Sequence, residues 1–141
     1  MRVLLDTNIL LDALLVTRPE NPDARALIDE IMRGEVTGVI TPAAFATVIH
    51  YLQRNSAGLS RDRVIGFLHE MLDTMVWASM LPAHFRSAFA SSFDDLEDGA
   101  QFFAALSTGK LDAIVTRDPK DFKDHVHVPV LTPAQCLKRI R

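Results

Sequence analysis

The residues best equipped for chemistry are acids in three short stretches. Asp6 opens Asp6-Thr7-Asn8 after the apolar run Val3-Leu4-Leu5. Asp94, Asp95, Glu97 and Asp98 crowd into one turn, and Asp118 follows Thr116-Arg117 and precedes Pro119. Only a fold can bring them together. If it does, two carboxylates about 4 Å apart repel by about 4 kcal/mol even at an effective dielectric of about 20, so a cation is expected between them. Oxygen ligands without Cys or His suit a hard ion such as Mg²⁺ or Mn²⁺. Such ions serve phosphoryl chemistry by polarising a phosphate oxygen and acidifying bound water. Each acid also has a plainer reading: Asp6 as a helix cap, the 94–98 group as partners of a helix dipole, Asp118 as a turn former before proline.

The elements that must position these acids alternate between strands and helices. Arg2 to Leu5 reads as a buried strand that stops at Asp6, followed by a helix carrying Leu10, Leu11, Leu14 and Leu15. Asn21 before Pro22 reads as the cap of a second helix with the stripe Ala24, Leu27, Ile28 and Ile31, ended by Gly34. Val36 to Ile40 is the second predicted strand, and Thr41-Pro42 repeats the cap-then-proline device for a third helix with Phe45, Val48, Ile49 and Leu52 inward. Asn55 to Leu59 reads as a loop. Ser60 caps a fourth helix with Val64, Phe67, Leu68, Met71 and Leu72 inward. Met75 to Met80 is a third strand, Ala83 to Ala90 a short helix, and the acidic turn opens a helix running to Gly109. Asp112 to Val115 and Val128 to Leu131 are the last strands. Thr132 and Gln135 form a capping box for the final helix. This pattern predicts an α/β fold: a three-layer α/β/α sandwich on a central parallel five-stranded sheet, with Asp6, Thr41, the acidic turn and Asp118 delivered to one edge. Asp95 and Asp98, three residues apart, share a helix face there, as do Asp94 and Glu97.

Length and composition bound the rest. The 141 residues fit one domain, with 48% hydrophobic and 23% charged residues. A single cysteine, Cys136, excludes an internal disulfide and a cysteine zinc site. No apolar stretch is long enough to cross a membrane and no secretory leader is recognisable, so a cytoplasmic protein is expected. The net charge of −3 argues against a general nucleic-acid coat but not against an enzyme that reaches phosphates through a metal. His125 and His127 alternate beside the fifth strand and read as exposed edge residues rather than metal ligands. His50 follows Thr47 by three residues and is a candidate for facing the site. Trp77, Met71, Met75 and Met80 read as packing residues, with a dimer or partner surface as the alternative.

Val3-Leu4-Leu5-Asp6-Thr7-Asn8, Asp95-Leu96-Glu97-Asp98, and Ile114-Val115-Thr116-Arg117-Asp118-Pro119-Lys120-Asp121-Phe122 together resemble the PIN domain family, in order and spacing, from Arg2 to the last helix. The resemblance implies a metal-dependent ribonuclease selective for single-stranded RNA, of the kind found as the VapC-like toxin of a bacterial toxin–antitoxin pair, and frequently a homodimer. By position, Asp6, Asp98 and Asp118 resemble the family's catalytic, metal-binding acids, with Asp95 an added acid. Asn8 and Thr116 resemble its supporting polar groups. Most active members carry a Glu in the helix after the second strand; here Ala43 to Arg54 contains no acid and Thr47 takes that place, as in a subset of PIN-like proteins whose continuation His50-Tyr51 resembles. Asp95 or Glu97 is then the candidate replacement. Arg117, Lys120 and Lys123 are candidates for holding substrate phosphates.

Two other readings compete. A catalytically weak or inactive PIN-like module that binds RNA or a basic partner is favoured by the acid-free third helix. A response-regulator receiver would need an acidic pair after the first strand and a Lys ending the last one, where this chain has Asp6 alone and Leu131-Thr132-Pro133.

Overall fold

A computed structural model describes residues 1–55 and 58–141; Ser56 and Ala57, in the loop expected over Asn55–Leu59, lie outside the described residues. The elements are β1 (Arg2–Leu5), α1 (Thr7–Leu14), α2 (Asn21–Met32), β2 (Thr37–Ile40), α3 (Pro42–Arg54) and α4 (Arg61–Thr74). They continue with β3 (Val76–Trp77), α5 (Pro82–Phe89), α6 (Leu96–Leu106), β4 (Ala113–Val115), a 3₁₀ turn (Pro119–Asp121), β5 (Val130–Leu131) and α7 (Pro133–Ile140). All strand pairs are parallel and the sheet runs β3-β2-β1-β4-β5.

Alternation along the strands divides the interior in two. Val3, Leu5, Ile40, Ala113 and Val115 face a core filled by α1, α2, α4 and α7, among them Ile9, Leu27, Ile28, Phe67, Met71 and Leu137. Leu4, Val39 and Ile114, one residue out of phase, face Phe93, Phe102, Ala104, Ala105 and Phe122. A parallel sheet needs both faces covered, and these helices cover them. The result is the expected three-layer α/β/α sandwich.

Several boundaries differ from the sequence expectation for local reasons. The first helix begins at Thr7, because Asp6 is its cap and accepts from Thr7 N at 2.7 Å. Asn21 does not cap α2; Glu20 stands at that position, while the Asn21 amide donates to the carbonyls of Asp12 and Ala13 at 2.8 and 3.1 Å. It thereby satisfies carbonyls that the end of α1 leaves without partners. Gly34, at φ 79°, ends α2 as expected. The third strand shrinks to Val76–Trp77, since Met75 closes α4 by bonding back to Met71 O. The fifth shrinks to Val130–Leu131, because Pro129 has no N–H for the ladder. Helix α6 stops at Leu106 rather than Gly109. Leu72, expected inward, is 46% exposed, and Ile49 is half-buried. Thr41, Ser60 and Thr132 cap their helices as read, and Gln135 completes the box with Thr132.

Helix α6 approaches α5 closely because Gly99 has no side chain. A Cβ there would stand 3.0 Å from Phe93 Cγ and 3.1 Å from Ala88 Cβ. Phe93 is held by ring contacts with Phe102, Phe103, Phe122 and His125 and has little freedom to retreat. Overpacking of this kind costs about 1–3 kcal/mol and outweighs the roughly 1 kcal/mol that alanine contributes inside a helix. Gly99→Ala is therefore expected to lower stability by about 1 kcal/mol, read as a lower urea midpoint at unchanged slope.

Candidate active site

The strand order reverses between β1 and β4: from this pair the chain winds outward through β2 and β3 on one side and to β5 on the other. Such a switch point opens a crevice at the carboxyl ends of the two strands, the usual ligand position in parallel sheets. β1 ends there in Asp6 and β4 in Thr116-Arg117-Asp118. Helix α6 brings its N-terminus to the same edge and carries Asp98 in its first turn.

Asp6 feels the charges of Asp118 and Asp121, and Asp98 those of Asp6 and Asp121, so the 3₁₀ turn adds Asp121 to the acids of this edge. Burial pushes the Asp6 carboxyl up, against bonds from Thr116 and Thr7 that pull it down, and the charges of Asp118 and Asp121 push it further up. Burial also raises Asp98, to about 7, with Asp6, Asp95, Glu97 and Asp121 adding repulsion. Thr116 Oγ1 donates to Asp6 Oδ2 at 2.7 Å and accepts from Asp118 N at 3.1 Å, so one hydroxyl links two acids. Asn8 Oδ1 accepts from Arg117 N at 3.3 Å, which ties the start of α1 to the turn after β4. Asp95 caps α6, its Oδ1 accepting from Asp98 N at 3.0 Å. Glu97 accepts from Gln101 Nε2 at 3.3 Å, and Gln101 in turn accepts from Thr41 Oγ1 at 2.9 Å, which ties the start of α6 to the end of β2.

Asp94, Asp95, Asp98, Asp121, Lys120 and His125 line a cleft of about 280 Å³. Lys120 thus stands among the acids, and Lys123 is exposed just beyond the 3₁₀ turn. Thr47 is exposed, and its hydroxyl donates to Ala43 O at 2.9 Å within its own helix rather than to a carboxylate. His50 is likewise exposed and pairs with Arg54. His125 departs from its reading as an exposed edge residue. Its side chain is 16% exposed, its ring stacks on Phe93 with centroids 5.1 Å apart, and its Nδ1 pairs with Ser92 Oγ at 2.8 Å.

Arg117, expected at substrate phosphates, is engaged by another acid. Its Nη1 bonds both oxygens of Asp12, at 3.1 and 3.4 Å, and it lines a separate pocket of about 200 Å³ with Asp12, Glu20 and Asp23. Asp12 is 0% exposed, and a buried carboxylate must be matched by cationic donors. A second guanidinium, Arg18, reaches Asp12 Oδ1 at 2.8 Å and Tyr51 OH at 2.9 Å, and sits over the Tyr51 ring. The acids alone did not suggest Asp12, Arg18, Asp121 or Gln101. For Asp12 a signal exists: it is the one charge in the run Ile9 to Leu15 and lies four residues after Asn8, on the same helix face.

Among the described residues, no three acidic, His or Cys side chains are spaced to clasp one ion as they stand. The donor set nevertheless fits a hard cation. It is all oxygen, two of its carboxylates, Asp6 and Asp98, are raised by burial and then by neighbouring acids, and Mg²⁺ takes one or two carboxylates while retaining several waters. None of the described helices is long and apolar enough to cross a membrane.

Comparison with known proteins gives the same picture of the fold. A chain of the VapBC2 complex of Rickettsia felis, solved bound to a DNA fragment from their promoter, superposes with a TM-score of 0.61 at 15% identity, over 94% of this chain and 98% of that one. No curated protein sequence matches significantly. The sequence model of the PIN domain, a family whose members are generally nucleases, matches residues 2–128. With that model matched over nearly the whole length, the chain belongs to the PIN domain family.

Proposed function

We propose that this PIN domain, as one unit over residues 1–141, is a Mg²⁺- or Mn²⁺-dependent endoribonuclease acting on single-stranded RNA. The observation that carries the reading is the Thr116 hydroxyl at the switch point, which donates to the Asp6 carboxylate after β1 and receives the Asp118 amide after β4, with Asp98 at the start of α6 feeling the Asp6 charge. Asp6, Asp98 and Asp118 would hold the ion, with Asp95 and Asp121 at the rim. The bound ion supplies positive charge to a phosphodiester and acidifies nearby water. The chain's own contribution is placement. Thr116 fixes the Asp6 carboxylate, Asn8 holds the backbone beside Asp118, and the Thr41–Gln101–Glu97 links hold α6 against the sheet. Lys120, in the cleft, and Lys123 beyond it would meet flanking phosphates. The likeness to a chain of the VapBC2 complex is in keeping with a toxin role beside an antitoxin partner; a homodimer in the cytoplasm is proposed from the sequence resemblance alone.

The acid-free α3 favours a second reading, a module that binds RNA or a partner without cutting. Titrating metal-free protein with Mn²⁺ and then adding end-labelled single-stranded RNA separates the two. Cleavage that requires the ion, stops with chelator and spares the same sequence in duplex form is the expected result. Mn²⁺ uptake without cleavage points to the binding module, and no uptake removes the metal site.

A further inference from the structure

We propose that Arg117 and Asp12 form a positioning clamp that sets where Asp118 stands, an inference that rests on the metal-site reading above. Beyond the Thr116 N–H, which still bonds to Leu131 O of β5, the chain leaves the sheet. The turn that follows is anchored to β1 and α1 by side chains at consecutive positions. Thr116 donates to Asp6 and receives the Asp118 amide. The Arg117 amide donates to Asn8 and its guanidinium grips Asp12. Asn8 and Asp12 are four residues apart and share one face of α1, so a single helix holds Arg117 by both its backbone and its side chain.

The anchor cannot yield easily. Asp12 is fully buried, and Arg18 holds its Oδ1 from the other side while tying itself to Tyr51 of α3. Arg117 thus registers the Asp118 turn against α1, and through Arg18 against α3. The Nε of Arg117 lies 3.8 Å from Asp118 Oδ2, outside hydrogen-bond distance, so its effect on Asp118 comes through the backbone more than through direct pairing. Loss of an outer partner that orients a metal ligand typically lowers metal affinity about 10- to 100-fold.

The two arginines separate this role from simple stabilisation, because both neutralise Asp12 and only Arg117 belongs to the turn. Mn²⁺ affinity by calorimetry and amide exchange of metal-free protein should be measured for wild type, Arg117→Met and Arg18→Met. Arg117→Met is expected to weaken Mn²⁺ binding about tenfold or more and to speed exchange at the Asp118 amide. Arg18→Met is expected to melt earlier yet bind Mn²⁺ within about twofold of wild type. The clamp is overturned if Arg117→Met binds Mn²⁺ as wild type does and only raises KM for RNA, the signature of a phosphate contact. It is equally overturned if Arg18→Met loses as much affinity as Arg117→Met. A wild-type protein that takes up no Mn²⁺ removes the metal-site reading first, and the clamp with it.

Discussion

Asp98→Asn is expected to reduce metal-dependent RNA cleavage on the order of a thousandfold or more while making the metal-free protein more stable. The activity loss follows from removing a charged ligand whose ion contributes several kcal/mol to the transition state, with each 1.4 kcal/mol or so worth tenfold. The stability gain follows from repulsion and burial. Folding raises the Asp98 carboxyl to about 7, so the folded chain holds this proton more tightly than the unfolded chain does. The favourable contribution is complete below about pH 4, falls as the unfolded chain ionises, and is gone above about pH 7, where the folded wild type carries the full penalty. Asparagine escapes the penalty. Discounted for partial solvent access, the gain at pH 8 is about 2 kcal/mol, or roughly 5 °C in melting temperature, shrinking towards nothing near pH 4. Initial rates on single-stranded RNA at saturating Mn²⁺, with calorimetry in chelator at pH 4, 6 and 8, measure both parts. Cleavage at the wild-type rate would remove Asp98 from the site, and a fall in melting temperature at pH 8 would make it structural.

Asp12→Ala is expected to give the largest loss of stability, with no catalytic group touched directly. Removing a buried carboxylate while its cationic partners remain costs about 3–5 kcal/mol. The guanidinium side chains here keep 22% and 36% exposure, so a value of about 3 kcal/mol is expected, with the melting temperature falling by about 10 °C. Replacing the whole set with apolar residues should behave differently, since no charge is then stranded. Asp12→Leu combined with Arg18→Met and Arg117→Met is expected to recover most of the loss in a urea titration. If Asp12→Ala costs less than about 1 kcal/mol, the two arginines find water and the network is not a buried one.

The fold was readable because strands and helices repeat with fixed periods and start with fixed chemistry. Val3-Leu4-Leu5 stopping at an acid, Thr41-Pro42, and Thr132 with Gln135 each determine an element from neighbours in the chain. That Asp6 and Asp118 lie at one edge was readable one step further on, since parallel strands deliver their carboxyl ends there. The ties between elements were not readable. Arg117 looked like a free cation because nothing near it in sequence says that Asp12, on α1, is buried and waiting for a donor. His125 looked like an edge residue because Phe93 and Ser92, which hold it, belong to another loop. Asp121 drew no reading of its own, although the single 3₁₀ turn after Pro119 places it in the cleft with Asp95 and Asp98. Edge strands were overestimated for a related reason: pairing along β3 and β5 depends on where a neighbouring helix ends and on one proline, not on apolar content.

The Asp6 carboxylate serves two masters at once, one oxygen starting α1 through the Thr7 amide and the other joined to Thr116 at the crevice. The first strand therefore cannot lose its acid without also unhooking the helix behind it. Architecture and chemistry are inseparable at position 6, whereas at position 98 they come apart.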